Sequence, residues 1–88
     1  MALGNVQQLL VDENIGQVKI HDPVTDEVTT LLIWSYFIQP DTPETRLLHA
    51  MFLALLRDAL LHNLPVELLE SNDGSTLVRY VKVQTPPG

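Results

Sequence analysis

Trp34 and Tyr36 are the side chains best suited to a binding site in this sequence. They lie two residues apart in a β-rich segment, and strand alternation places them on one face. Such a face can stack on sugar rings or bases, which predicts Trp34 and Tyr36 as ligand-binding residues. The competing interpretation, a place in the core, is the more common fate of aromatic residues on a small sheet.

The three histidines do not show the spacing of a metal site. His49 and His62 differ by about 140° around a helix, so one face cannot present both to one ion. His21 stands near three acids in an ordinary turn, where carboxylates cap backbone groups and stay in water. We therefore predict no metal and no cofactor.

Catalytic patterns are equally scarce. The serines have no nucleophile-elbow motif around them, the glycines are isolated, and paired acids occur only in turns. Arg46, His49 and Arg57 form one stripe of a predicted helix, either an anion site or the solvent edge, and we favour the solvent edge. No catalytic residue is predicted, and the chain is not expected to be an enzyme.

Charge and composition limit the partners and the compartment. The 88 residues carry a formal charge of −6, and the five basic residues are scattered. We therefore expect no binding to nucleic acid or to an anionic membrane surface. The chain has no cysteine and its start lacks a signal-peptide pattern, so a cytoplasmic location is expected. The apolar stretch at residues 47–61 is too short and too polar to span a membrane.

The elements that must position these residues begin with one long helix, predicted over about residues 43–62. Asp41 or Thr42 supplies the capping oxygen, with Asp41 and Glu44 at capping-box spacing. Pro43 suits the first turn, and Pro65 disfavours helical geometry just beyond the end.

The remaining segments have β character. Strands are predicted over residues 16–21, 27–38, 66–70 and 76–84, because β-branched and aromatic residues concentrate there. Residues 71–74 predict a hairpin turn with Gly74 at positive φ, and residues 85–88 are expected to fray. Residues 6–11 fit either a strand or a short helix.

This element order predicts an α+β domain over residues 1–88. It is a small antiparallel sheet or a partly open OB-like barrel, with one long helix between the third and fourth strands. Over residues 34–84, the aromatic strand, the Pro-Asp-Thr-Pro helix start and the apolar helix resemble small bacterial domains similar to the B subunits of pentameric toxins. If residues 6–11 are not a strand, an open four-stranded sheet with one covering helix is the alternative.

Apolar residues occupy most of the helix circumference, more than one sheet can cover. We predict that Leu47, Leu48, Met51, Leu55 and Ala59 pack on the sheet, and that Leu53, Leu60 and Leu61 form a self-association surface. Residues 6–11 folding back over that surface is the alternative. The expected function is a non-enzymatic, oligomeric structural or protein-interaction module, forming a homo-oligomer with a possible protein partner. The alternative is a small-ligand barrel, sugar being one candidate, that uses Trp34 and Tyr36.

Overall fold

The computed structural model describes residues 2–70 and 76–84. The elements are β1 (Ala2–Val11), β2 (Ile15–His21), β3 (Val28–Ser35), α1 (Pro43–His62), β4 (Pro65–Glu70) and β5 (Val78–Val83). The predicted hairpin at residues 71–74, with Gly74, and the predicted frayed tail at residues 85–88 lie outside the described residues.

The five strands form one antiparallel sheet in the order β3-β2-β1-β4-β5, and α1 lies between the third and fourth strands of the chain. This confirms the predicted α+β class and the place of the helix. The sheet is not closed into a barrel. Its two outer strands approach at one point, where Leu32 and Leu77 form a parallel bridge and the Leu32 N–H donates to the Thr76 carbonyl at 3.0 Å.

Strand β1 resolves the ambiguity at residues 6–11, which form its second half. The strand pairs with β2 along most of its length and with β4 through residues 2–5. A register shift between Val6 and Gln8 interrupts the alternation, which explains why the sequence pattern fits neither element clearly. Because residues 6–11 belong to the sheet, the alternative in which they fold back over the helix is wrong.

Helix α1 begins and ends at the residues predicted, for reasons visible at both caps. The Thr42 hydroxyl accepts the Thr45 N–H at 3.2 Å, and the Thr45 hydroxyl accepts the Thr42 N–H at 3.0 Å. The capping box therefore uses Thr42 and Thr45 rather than Asp41 and Glu44. Asn63 ends the helix in the left-handed conformation, with its N–H bonded to the Ala59 carbonyl. In the described part of the chain, no helix has the length and apolar character needed to cross a membrane.

The helix packs on the sheet through a face different from the one predicted. Its buried residues are His49, Phe52, Leu56 and Ala59. The prediction is correct for Ala59 and wrong for four residues that are exposed, namely Leu47, Leu48, Met51 and Leu55. Because large apolar residues surround the helix, hydropathy alone did not determine which side faces the sheet. The sheet contributes to the same core Val6, Val18, Ile20, Leu31, Ile33, Val66, Leu68 and Val78.

Candidate functional site

Trp34 lies near the end of β3, directly opposite Gly16 of β2. A β-carbon on Gly16 would lie 2.7 Å from two carbons of the Trp34 ring, so the indole occupies space that only glycine leaves free. A register shift follows Gly16, and Ile33, Trp34 and Ser35 are buried in succession, contrary to simple alternation. The strand irregularity and the glycine together place the indole in the core, 7% exposed.

His49 of helix α1 packs against Trp34 and Tyr36, and the three side chains form an aromatic cluster. Its ring stacks on the Trp34 ring, with 5.8 Å between centroids and 16° between planes. The Tyr36 hydroxyl and His49 Nδ1 share a hydrogen bond of 3.0 Å. Burial lowers the pKa of His49 below its ordinary value, which favours the neutral imidazole. In a neutral ring with its proton on Nε2, Nδ1 can accept the hydrogen bond that the Tyr36 hydroxyl donates.

Arg46 lies at the solvent side of the same cluster. Its guanidinium carbon is 5.1 Å from the centre of the Tyr36 ring, a cation–π distance. The guanidinium also binds both carboxylate oxygens of Asp41, with Nη2 to Oδ2 at 2.8 Å. This hydrogen bonding lowers the pKa of the Asp41 carboxyl. Arg46 is thus held in place over Tyr36 from two sides.

A cleft of about 200 Å³ opens between the helix and the turn that joins β1 to β2. We call it the Trp34 cleft; its lining residues are Asp12, Glu13, Trp34, Tyr36, Arg46, His49, Ala50 and Leu53. Apolar and aromatic groups therefore combine with two acids and one base. Asp12 is already engaged, since its Oδ1 accepts the Asn14 and Ile15 N–H groups at 2.8 Å, and these bonds lower its pKa.

The indole Nε1–H of Trp34 is buried and has no hydrogen-bond partner in the described part of the chain. Leaving a buried donor unpaired costs roughly 1–3 kcal/mol. Buried polar groups are paired in the great majority of cases, so this donor requires an explanation. The Trp34 side chain also lines the Trp34 cleft, although its Nε1 atom has almost no solvent-accessible surface.

The structure brings the predicted residues Trp34 and Tyr36 together, although not on one strand face. Strand β3 ends at Ser35 and Tyr36 begins the following turn, yet the two rings lie 6.4 Å apart between centroids. Stacking on a ligand by these residues stays a prediction. Because Trp34 is buried beneath His49 and beside Gly16, Tyr36 offers the more accessible ring.

His49 lies in the core, although its spacing in the sequence predicted a solvent-exposed position. The spacing of Arg46, His49 and Arg57 predicted a solvent edge, and this is wrong for His49, which is 4% exposed. The sequence held one available signal, a histidine within a strongly apolar helix close in sequence to Trp34 and Tyr36. Among residues 2–70 and 76–84, no group of three histidines or acids is arranged to hold a metal ion.

The opposite side of α1 is the second candidate surface. We call it the outer helix face; its large apolar residues are Leu47, Leu48, Met51, Leu55 and Leu61, with Ala54 between them. Their exposure ranges from 41% for Leu55 to 70% for Leu61. The described chain does not cover this face, which extends over most of a 20-residue helix.

The three residues predicted for self-association do not share one environment. Leu61 lies on the outer helix face, whereas Leu60 is 38% exposed and lies about 100° away around the helix, on the side of Leu53. Leu53 packs partly against the core and lines the Trp34 cleft, and its part in self-association stays a prediction. Whether Leu60 and Leu61 contact another copy stays a prediction.

Comparisons with known proteins assign neither fold family nor function. No protein-family model matches the chain, and neither a curated protein nor a solved structure matches it.

Proposed function

We propose that this chain is a non-enzymatic, self-associating structural or protein-interaction module whose contact surface is the outer helix face. The observation that carries the proposal is an uncovered apolar stripe along a helix of 20 residues, about 30 Å long. Monomeric proteins seldom expose an apolar patch beyond about 300–600 Å² unless it serves an interaction.

The size of this face supports a stable contact. The five large side chains expose apolar area on the order of 500 Å², at the upper end for a monomer. Two such faces would bury about 1,000 Å², which is the lower limit for a specific interface. Each fully buried leucine contributes roughly 1.5–3 kcal/mol.

An OB-like architecture similar to the B subunits of pentameric toxins is part of the same proposal. It is supported by the strand order, by the helix between β3 and β4, and by the parallel bridge between Leu32 and Leu77. In that architecture the sheet curves until its outer strands approach each other, which gives the partly open barrel.

Sedimentation velocity at tens of micromolar tests self-association. We expect the wild-type protein to sediment as an oligomer and Leu47→Glu to sediment as a monomer, because a charge would be buried in the contact. The matched control is Val24→Glu, which adds the same charge at a turn residue 91% exposed. A monomeric wild-type protein, or equal effects of the two substitutions, would contradict the proposal.

The second candidate function is binding of a small ligand in the Trp34 cleft, and the unpaired indole N–H of Trp34 favours it. Because the Trp34 Nε1 atom has almost no solvent-accessible surface, a ligand oxygen would reach this donor only after a shift of the rings that cover it, while Tyr36 and Arg46 contact the rest of the molecule. Trp34 is the only tryptophan, so intrinsic fluorescence reports on the cleft alone. Titration with a panel of mono- and disaccharides should shift the emission, with Tyr36→Ala as the variant that loses the response. Unchanged emission and amide chemical shifts across the panel would contradict this candidate.

A further inference from the structure

Two acids interrupt the outer helix face. Glu44, Met51 and Asp58 recur at intervals of seven residues, so they lie along one stripe of the helix. Both acids are exposed, whereas Met51 is flanked by the apolar residues of the same face. Any partner that covers the apolar area must therefore accommodate a carboxylate near each end of the stripe.

We propose, on the basis of the self-association proposed above, that the partner is a second copy of this chain whose helix runs antiparallel. The two-fold axis lies near Met51 and Ala54, the middle of the outer helix face. In a parallel pair each Asp58 would face the other Asp58, and each Glu44 the other Glu44, within an apolar contact. Like charges brought together in such a contact oppose association.

The antiparallel arrangement separates these charges. With the axis near residue 53, the two copies of Asp58 are offset by about 15 Å along the helices, well beyond the screening length of about 8 Å in physiological salt. The same register brings Glu44 in the first helical turn near His62 in the last turn of the other copy. The two helix dipoles then oppose each other, which also favours association.

The shape of the face agrees with this pairing. Large side chains stand in both halves, Leu47 and Leu48 in one and Leu55 and Leu61 in the other. The small Ala54 lies between the halves and permits a close approach of the two backbones there. A two-fold contact of this kind is closed, because the same surface of each copy is used once.

The net charge of the chain opposes its self-association, and this repulsion should make association depend on salt. Each copy carries a formal charge of −6, so two copies repel at long range. Added salt screens this repulsion and leaves the apolar contact intact. We therefore expect association to strengthen as sodium chloride is raised, the opposite of an interface held by ion pairs between copies.

Disulfide mapping tests the orientation, because the natural chain has no cysteine. Single variants Met51→Cys, Ala54→Cys, Leu47→Cys and Leu61→Cys are oxidised at the same concentration, with Val24→Cys as the background control. A disulfide joins cysteines only when their Cα atoms come within about 7 Å. We expect covalent dimers from at least one of the two central positions and only background from the two terminal positions.

The alternative results separate the two proposals. Strong self-linking at Leu47→Cys and Leu61→Cys would indicate parallel helices and overturn the orientation, while the proposed function would stand. An oligomer in which all four cysteine variants form disulfides only at the background level would also overturn the antiparallel orientation, since another surface must then form the contact. A wild-type chain that sediments as a monomer at high salt would overturn both proposals together.

Discussion

The two faces of helix α1 are similar in hydropathy and opposite in environment. The inner face presents His49, Phe52, Leu56 and Ala59 to the sheet, and Leu56 has no exposed surface. The outer helix face carries larger apolar residues on average, yet all of them are exposed in the single chain. The inner face is distinguished by its packing rather than by its hydropathy. Ala59, Phe52 and Leu56 are buried, and His49 stacks on Trp34 and shares a hydrogen bond with Tyr36. Apolar character alone therefore does not identify the core of this protein.

The most direct way to break this comparison is to truncate neighbouring leucines, one from each face. Leu56→Ala should lower the free energy of unfolding by about 2–5 kcal/mol, because it leaves a cavity in a closed core. Leu55 is adjacent in sequence but 41% exposed, so Leu55→Ala should cost well under half as much in the isolated subunit. Urea unfolding at low protein concentration measures both. Equal costs would show that the two faces are not distinct in the folded subunit.

Much of the fold followed from local signals. The helix bounds were predicted correctly because Pro43 and Pro65 act on the backbone directly, whatever the tertiary structure. The strand locations were close because β-branched and aromatic residues cluster in them. Residues 6–11 resisted prediction, since Gln7 and Gln8 stand together at a register shift and conceal the alternation.

The candidate site was predictable only in part. Trp34 and Tyr36 were singled out by type and spacing, but their environment depends on Gly16 with the register shift beside it in β2, and on His49 in α1. Several sides of the helix are nearly equal in apolar character, so contacts with distant parts of the chain determine which side faces the sheet. In the structure His49 contacts the aromatic pair, whereas Leu47 and Met51 are exposed.

His49 sharpens the comparison, because it is the one titratable residue on the inner face. Burial lowers its folded-state pKa, so the unfolded chain binds its proton at higher pH than the folded chain. The contribution of His49 to stability is therefore present above the unfolded pKa of about 6.5 and is lost as pH falls toward the lower folded pKa. The slope from one proton cannot exceed about 1.4 kcal/mol per pH unit.

The measurement is urea unfolding of the wild-type protein and two variants between pH 5 and pH 7.5. His49→Phe should remove part of the decline below about pH 6.5. His62→Gln provides the matched control on the same helix, since His62 is exposed. The groups around the His49 ring that also carry charge are Arg46, Asp12 and Glu13. If the decline persists unchanged in His49→Phe, it does not come from His49, and the carboxyls whose pKa is lowered by hydrogen bonds in the fold, Asp12, Asp22 and Asp41, are its source.

The smallest effect on the subunit itself is expected from Leu61, whose side chain is 70% exposed on the outer helix face. Leu61→Gln retains side-chain length and helix propensity, so at high dilution the unfolding free energy should change by no more than about 0.5 kcal/mol. At higher protein concentration the effect of Leu61→Gln on stability should be larger, because oligomer formation stabilises the folded state by mass action. The thermal midpoint of the wild-type protein should therefore rise with protein concentration, and that of Leu61→Gln should rise less. Leu53→Gln is the informative contrast, since Leu53 packs against the core and its substitution should lower the midpoint equally at every concentration. If the two variants instead show the same concentration dependence, Leu61 does not contribute to a contact between copies. The contact surface would then exclude the last turn of the helix.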